Sequence, residues 1–348
     1  MLTAIWFSVT VALSPSEMFK TLNQLKDLNI KNPLQAAELY RSVEKRLPRK
    51  PSRGLYELYR IGLESGVRVQ DPDIVSGIVA VLASTPWQSV VEGGELDIVS
   101  SVAIYHRRIH DYKQAEILNE CAISYATDPK EFARVANNMA VVYRYSDQLP
   151  KASKILKESL LLADDREIVA NIKNNLGNIY FDQKKYRNAQ LMYRRAFRFH
   201  SEVGQSGYAA GTGLNLLNTQ IFLGDWQSFM RYKSSVALEI KSSNQPVFNA
   251  FYKWQWHLYD FIQNGSELSG EIAKQLIDSI PLLLKSELGP SLELYTRLYK
   301  NQQLQKALQE QLEKTPNIKD IKNPTGIRVR LDKWCSNNSV ARKYFSDY

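Results

Sequence analysis

Asn138, Asn175 and Asn215 each stand just ahead of an apolar or small pair, Met139-Ala140, Leu176-Gly177 and Leu216-Leu217, at spacings of 37 and 40 residues. A carboxamide both donates and accepts, so amides recurring at one register can bond the backbone of an extended chain whatever its side chains. Asn also costs propensity inside a helix, so its repeated placement asks for a reason. Asn137, Asn174, Asn178 and Asn218 add polarity around these positions, and Arg134, Arg144 and Tyr145 add charge and stacking. The competing reading is that the amides only tie neighbouring helices together.

Other groups that could do chemistry lack the pattern it needs. Asp164-Asp165 and the pair Glu116 and Glu120 are spaced as helix caps or solvated helix faces, not as an acid and base across a cleft. GYAAGTGLNL at 207–216 is the nearest approach to a dinucleotide fingerprint, but it follows a helical pattern instead of a strand, and it reads as a loop leading into a helix. There is no Gly-x-Ser-x-Gly elbow and no His-Glu-x-x-His run. Four His without metal-pair spacing give no zinc signal. Cys121 lies in an apolar helical phase with Leu118, Ala122 and Tyr125 and reads as a buried thiol; a bond to Cys335 is the alternative in an oxidising compartment. The expectation is a protein without catalytic residues, metal or cofactor.

The elements that would position the amides are helices. With 16 Gly and 13 Pro in 348 residues, the chain is short of the punctuation that an all-β or Gly-rich α/β fold needs. The segment NNLGNIYFDQKKYRNAQLMYRRAF places Leu176, Gly177, Tyr180, Tyr186, Ala189, Tyr193 and Ala196 on two helical faces joined by the polar turn 182–185. A shift of 37 residues upstream recovers Met139, Ala140, Tyr143, Leu149, Ala152, Leu156 and Ser159. A second such shift recovers Val102, Ala103, Tyr112, Ala115 and Ala122, with His106 and Asn119 replacing aromatics. Downstream, Leu216, Leu217, Trp226 and Val236 fit at a shift of 40, with Phe229 at the small crossing position.

These units resemble the tetratricopeptide repeat. The resemblance implies an all-α solenoid, an α-α superhelix of helical hairpins whose first helices line a ligand groove. It turns the polar positions into a candidate groove: Arg134, Asn137, Asn138, Arg144, Tyr145, Asn174, Asn175, Asn178, Asn215 and Asn218. The Asn series is similar to the asparagine ladder of peptide-binding tetratricopeptide proteins such as kinesin light chains. The expected organisation is an irregular helical region over 16–95, repeats over 96–240, and a helical cap over 246–348. In that cap the aromatic-rich stretch 247–262 packs on several sides, with helices over 271–285 and 291–314 following it.

Residues 1–12, MLTAIWFSVTVA, have the length and apolarity of an export signal, although they lack a basic start; a folded first helix is the alternative. No later run is long and apolar enough to span a bilayer. With this leader the chain also resembles, loosely, the exported tetratricopeptide sensory regions of Gram-negative signalling proteins. The net charge is +9, with Lys151, Lys154, Lys157, Arg187, Arg194, Arg195 and Arg198 on second helices of the hairpins, interrupted by Glu158, Asp164, Asp165 and Glu167. Nucleic-acid binding is therefore disfavoured. The functional expectation is a non-catalytic scaffold that binds a protein or extended peptide, periplasmic or secreted. Its alternatives are a cytoplasmic peptide-responsive regulator and, more weakly, a nucleic-acid-binding repeat.

Overall fold

The computed structural model describes residues 12–284, 286, 288–314, 331, 334 and 335. Among them are seventeen α-helices, two short 3-10 turns and no strand. The chain divides into two compact units, one of Met1–Asp147 with Ile321–Tyr348, the other of Gln148–Asp320. The division at 147/148 falls inside the repeat block.

In the first unit, α1 (Pro15–Lys31), α2 (Pro33–Val43) and α3 (Arg53–Val69) pack on one another, followed by α4 (Pro72–Leu82) and the short α5 (Gln88–Val91). Their starts are written into the sequence. Ser14 and Glu17 form a reciprocal capping box, and Asn32 and Asp71 cap helices that open with Pro. Gly62 lets α3 approach α2, since a Cβ there would lie 2.5 Å from the Tyr40 ring. The repeat-like helices α6 (Glu95–Arg108), α7 (Tyr112–Ser124) and α8 (Pro129–Tyr145) complete the unit.

Cys121, on α7, is bonded to Cys335. The sequence reading of Cys121 as a buried free thiol is therefore corrected. Its apolar setting is as expected, but the residues 214 positions downstream return to this helix, and the Tyr125 hydroxyl donates to the Trp334 carbonyl at 2.5 Å beside the bond. No single described helix is long and apolar enough to cross a membrane; α4 with the 85–91 segment passes by composition only as a bent pair, and it supplies core residues Ile74, Val75, Ile78, Val79 and Leu82.

The second unit is a run of antiparallel helices, α9 (Leu149–Leu162), α10 (Arg166–Asp182), α11 (Tyr186–Glu202), α12 (Ser206–Leu223), α13 (Trp226–Ser243) and α14 (Pro246–Asn264). It closes with α15 (Gly270–Leu284), α16 (Ser291–Tyr299) and α17 (Gln302–Lys314). Tight turns join the hairpins, with left-handed residues at Lys184, Gly204 and Gly224.

Two sequence expectations fail here. The Gly-rich stretch 207–216 is not a loop but lies within α12, because Gly213 sits where a Cβ would meet Val236 at 2.7 Å and Phe197 at 3.0 Å; close helix packing overrides the weak propensity of Gly. The single helix expected over 291–314 is broken at Lys300, which is left-handed, and Asn301 accepts from the Leu304 amide to start α17.

The aromatic stretch is core as expected. Phe251 stacks on Tyr295 with centroids 5.5 Å apart, the Trp254 indole donates to Ser279 at 2.9 Å, and Tyr299 donates to the Trp254 carbonyl at 2.8 Å.

Candidate functional site

Small residues bring the helices close, and that closeness places the amides. A Cβ on Gly177 would lie 2.6 Å from the Tyr193 ring, so α10 and α11 approach closely at this point. The buried Tyr193 then reaches across the hairpin, and its hydroxyl donates to Asn178 Oδ1 at 2.7 Å.

Asn178 Oδ1 also accepts from Asn215 Nδ2 of the next hairpin at 3.3 Å, and Asn178 Nδ2 donates to Asn175 Oδ1 at 3.3 Å. Beside them, the Thr212 hydroxyl donates to Asn174 Oδ1 at 3.2 Å. Asn174, Asn175, Asn178 and Asn215 thus form one half-buried amide cluster across α10 and α12. The bonds between the two helices join residues 37 and 38 apart, slightly less than the 40-residue shift that relates these two hairpins.

The orientation of these bonds decides what the cluster can still do. Asn174 uses its oxygen on Thr212, which leaves its NH2 donors without a partner among the described residues. Asn215 uses its nitrogen on Asn178, which leaves its carbonyl oxygen without one. Neither atom is enclosed, so neighbouring helices present one donor and one acceptor, the complement of a peptide backbone's C=O and N–H.

The two helices together carry no net charge. α10 carries two basic and two acidic residues and α12 none. Lys173, next to Asn174, is held below the ordinary lysine range by partial burial and by the Arg195 charge.

Asn218 is not part of this face. It is 6% exposed, and its Oδ1 accepts from the Tyr295 hydroxyl of α16 at 2.6 Å, so the helices of the cap cover it. In the first unit, Asn137 and Asn138 lie half-buried on α8, and the Asn138 side chain has no partner among the described residues. Arg134 pairs with Asp97 of α6 at 2.7 Å, again 37 residues away. Arg144 lies over the Tyr145 ring at 5.2 Å, and that ring stacks on Tyr112 with centroids 6.0 Å apart.

Sequence reasoning missed Thr212 and the anchoring role of Tyr193. Thr212 stands three residues before Asn215, one helical turn away on the same face, and that spacing was the available signal. Among the described residues no group of three or more His, Cys, Asp or Glu is placed to hold a metal ion.

Residues 131–202 match the tetratricopeptide repeat family model. No curated protein sequence matches the chain. Among solved structures, the Rap conjugation gene regulator of the plasmid pLS20, in complex with the Phr* peptide, aligns with a TM-score of 0.61 at 13% identity, covering 90% of this chain and all of that one. Aspartyl phosphate phosphatase F from Bacillus subtilis aligns at 0.48 with 12% identity, covering 91% of this chain and 97% of that one. A Rap protein complexed with competence and sporulation factor aligns at 0.46 with 12% identity, covering 90% and 99%. The matched segment, the paired helices and the 0.61 alignment agree: the chain has an all-α fold of tetratricopeptide-type helical repeats.

Proposed function

We propose that the chain is a peptide-responsive regulator of the helical-repeat class, non-catalytic, whose amide face on α10 and α12 holds an extended peptide by its backbone. The observation that carries this reading is the donor of Asn174 and the acceptor of Asn215, both without a partner among the described residues, on neighbouring helices that together carry no net charge. The fold it shares with a regulator solved in complex with a peptide supports it. Asn175 and Asn178 position the two contact residues.

The test is selection of peptides from a random display library on the native chain, followed by titration calorimetry with the selected peptides. Replacing both Asn174 and Asn215 by Ala removes two backbone bonds, each worth about 1 kcal/mol, so affinity falls roughly 10- to 50-fold. The same affinity in a double variant that folds normally would refute the site.

A second reading, an exported sensory component, is favoured by one observation, the bond between Cys121 and Cys335, since such bonds persist in oxidising compartments. The apolar run 1–12, on which that reading also rests, lies outside the described residues except for Ala12. Mass spectrometry of the mature protein separates the two, because an intact Met1 removes the export argument.

A further inference from the structure

The charge of the second unit is sorted by helix. The second helices of its hairpins, α9, α11 and α13, carry ten basic residues against three acidic ones, whereas α10, α12 and α14 carry three of each. Between α11 and α13 the surface opens into a groove of about 770 Å³. That volume is in the range of ligand-binding clefts.

The floor is aromatic, with Phe197 and Tyr232 packed edge to face at 6.3 Å, and Leu238 stands on its rim 63% exposed. Along one wall run Arg194, Arg195 and Arg198. Arg198 is already held by Glu202 at 2.7 Å, but Arg194 and Arg195 make no ion pair among the described residues.

All three wall cations are Arg, not Lys. A guanidinium is a flat fork matched to carboxylates, and it gives up its water more readily than an ammonium does.

We infer that the α11/α13 groove is a second docking site, for an acidic protein segment that sets carboxylates on Arg194 and Arg195 and an aliphatic side chain between Leu238 and the Tyr232 ring. Charge complementarity selects this occupant. A flat anionic membrane would not use a concave floor, and the apolar surface of Phe197, Tyr232 and Leu238 calls for an aliphatic side chain that a phosphate backbone lacks. This site lies on different helices from the amide face and does not depend on it.

The test uses the full chain and a fluorescein-labelled peptide of alternating Glu and Leu, read by anisotropy. Saturable binding is expected. Arg194→Gln with Arg195→Gln should weaken it about tenfold or more, Leu238→Ser by a few-fold, and Lys151→Gln with Lys154→Gln on α9, an equal charge change outside the groove, by less than about twofold. All these side chains are exposed; Arg195 acts on Lys173 and Arg194 follows the anchoring Tyr193 in the chain, and circular dichroism verifies the fold of each variant.

Equal weakening by the Arg and Lys pairs would reduce the effect to diffuse charge and overturn the groove. So would absence of saturable peptide binding. Tighter, Arg194- and Arg195-dependent binding of phosphatidylserine vesicles or of single-stranded DNA would replace the protein segment with those ligands and overturn the assignment.

Discussion

Gly177→Ala tests how the hairpin geometry supports the amide face. The added Cβ would lie 2.6, 2.7 and 3.0 Å from three atoms of the Tyr193 ring. That ring is buried and its hydroxyl is fixed on Asn178, so it cannot swing aside without breaking the 2.7 Å bond. Three contacts at or below 3.0 Å to a pinned ring put the overpacking cost in the upper part of its range, about 2–3 kcal/mol, partly offset by a helix-propensity gain of about 1 kcal/mol for Ala over Gly. The net loss is about 1–2 kcal/mol, which for a unit of this size lowers the melting midpoint by roughly 2–8 °C.

Gly211→Ala on α12 is the matched control. Its Cβ would meet only the Phe248 ring tip, at 3.7 Å, so the propensity gain stands alone and the midpoint should rise by a few degrees. Thermal melts followed by circular dichroism at 222 nm read both variants. Gly177→Ala with Tyr193→Leu should recover part of the loss, because the clashing ring is gone. If Gly177→Ala melts at or above the native chain, or if the two Gly variants shift alike, the close approach of α10 and α11 does not constrain the hairpin and the account of how Asn178 is positioned fails.

Tyr295→Phe strands the buried Asn218 oxygen and should cost about 1–3 kcal/mol, measured as a lower urea midpoint, while leaving peptide affinity unchanged. His106 and His200 are held below the ordinary histidine range by burial, each with Nδ1 facing a side-chain oxygen and Nε2 enclosed without a hydrogen-bond partner among the described residues. The folded pKa is depressed, so the unfolded chain takes up protons first; stability is full above about pH 6.5 and falls as the pH drops below it, by up to about 1.4 kcal/mol per pH unit for each group. Melts from pH 7.5 to 5.5 should show this slope, and His200→Gln should flatten it. Cys121→Ser removes a bond closing a loop of more than two hundred residues, worth up to about 5 kcal/mol by the chain-entropy model, and should lower the denaturation midpoint under non-reducing conditions but not in dithiothreitol.

The repeat was legible because hairpin packing demands small and aromatic residues at fixed positions, and Gly177, Ala189 and Tyr193 keep them. The amides were legible as a spacing, but not their fates. Asn215 and Asn218 are the same residue type one turn apart on one helix, and only the covering helix α16, about eighty residues downstream, separates them. Gly207, Gly211 and Gly213 read locally as a loop because propensity is a local quantity, whereas the approach of Val236 and Phe197 to Gly213 is not. The pairing of Cys121 with Cys335 depends on a long-range return of the chain that no spacing encodes.

That pairing also changes what a protease would release. The second unit, 148–320, is inserted in the sequence of the first, and the sulfur bridge spans the insertion from 121 to 335. A single cut anywhere between those cysteines leaves two fragments joined, which co-migrate on a non-reducing gel and part only when reductant is added. A nicked molecule would thus keep both of its pieces, and an apparently intact band would say nothing about whether the backbone of the inserted unit is whole.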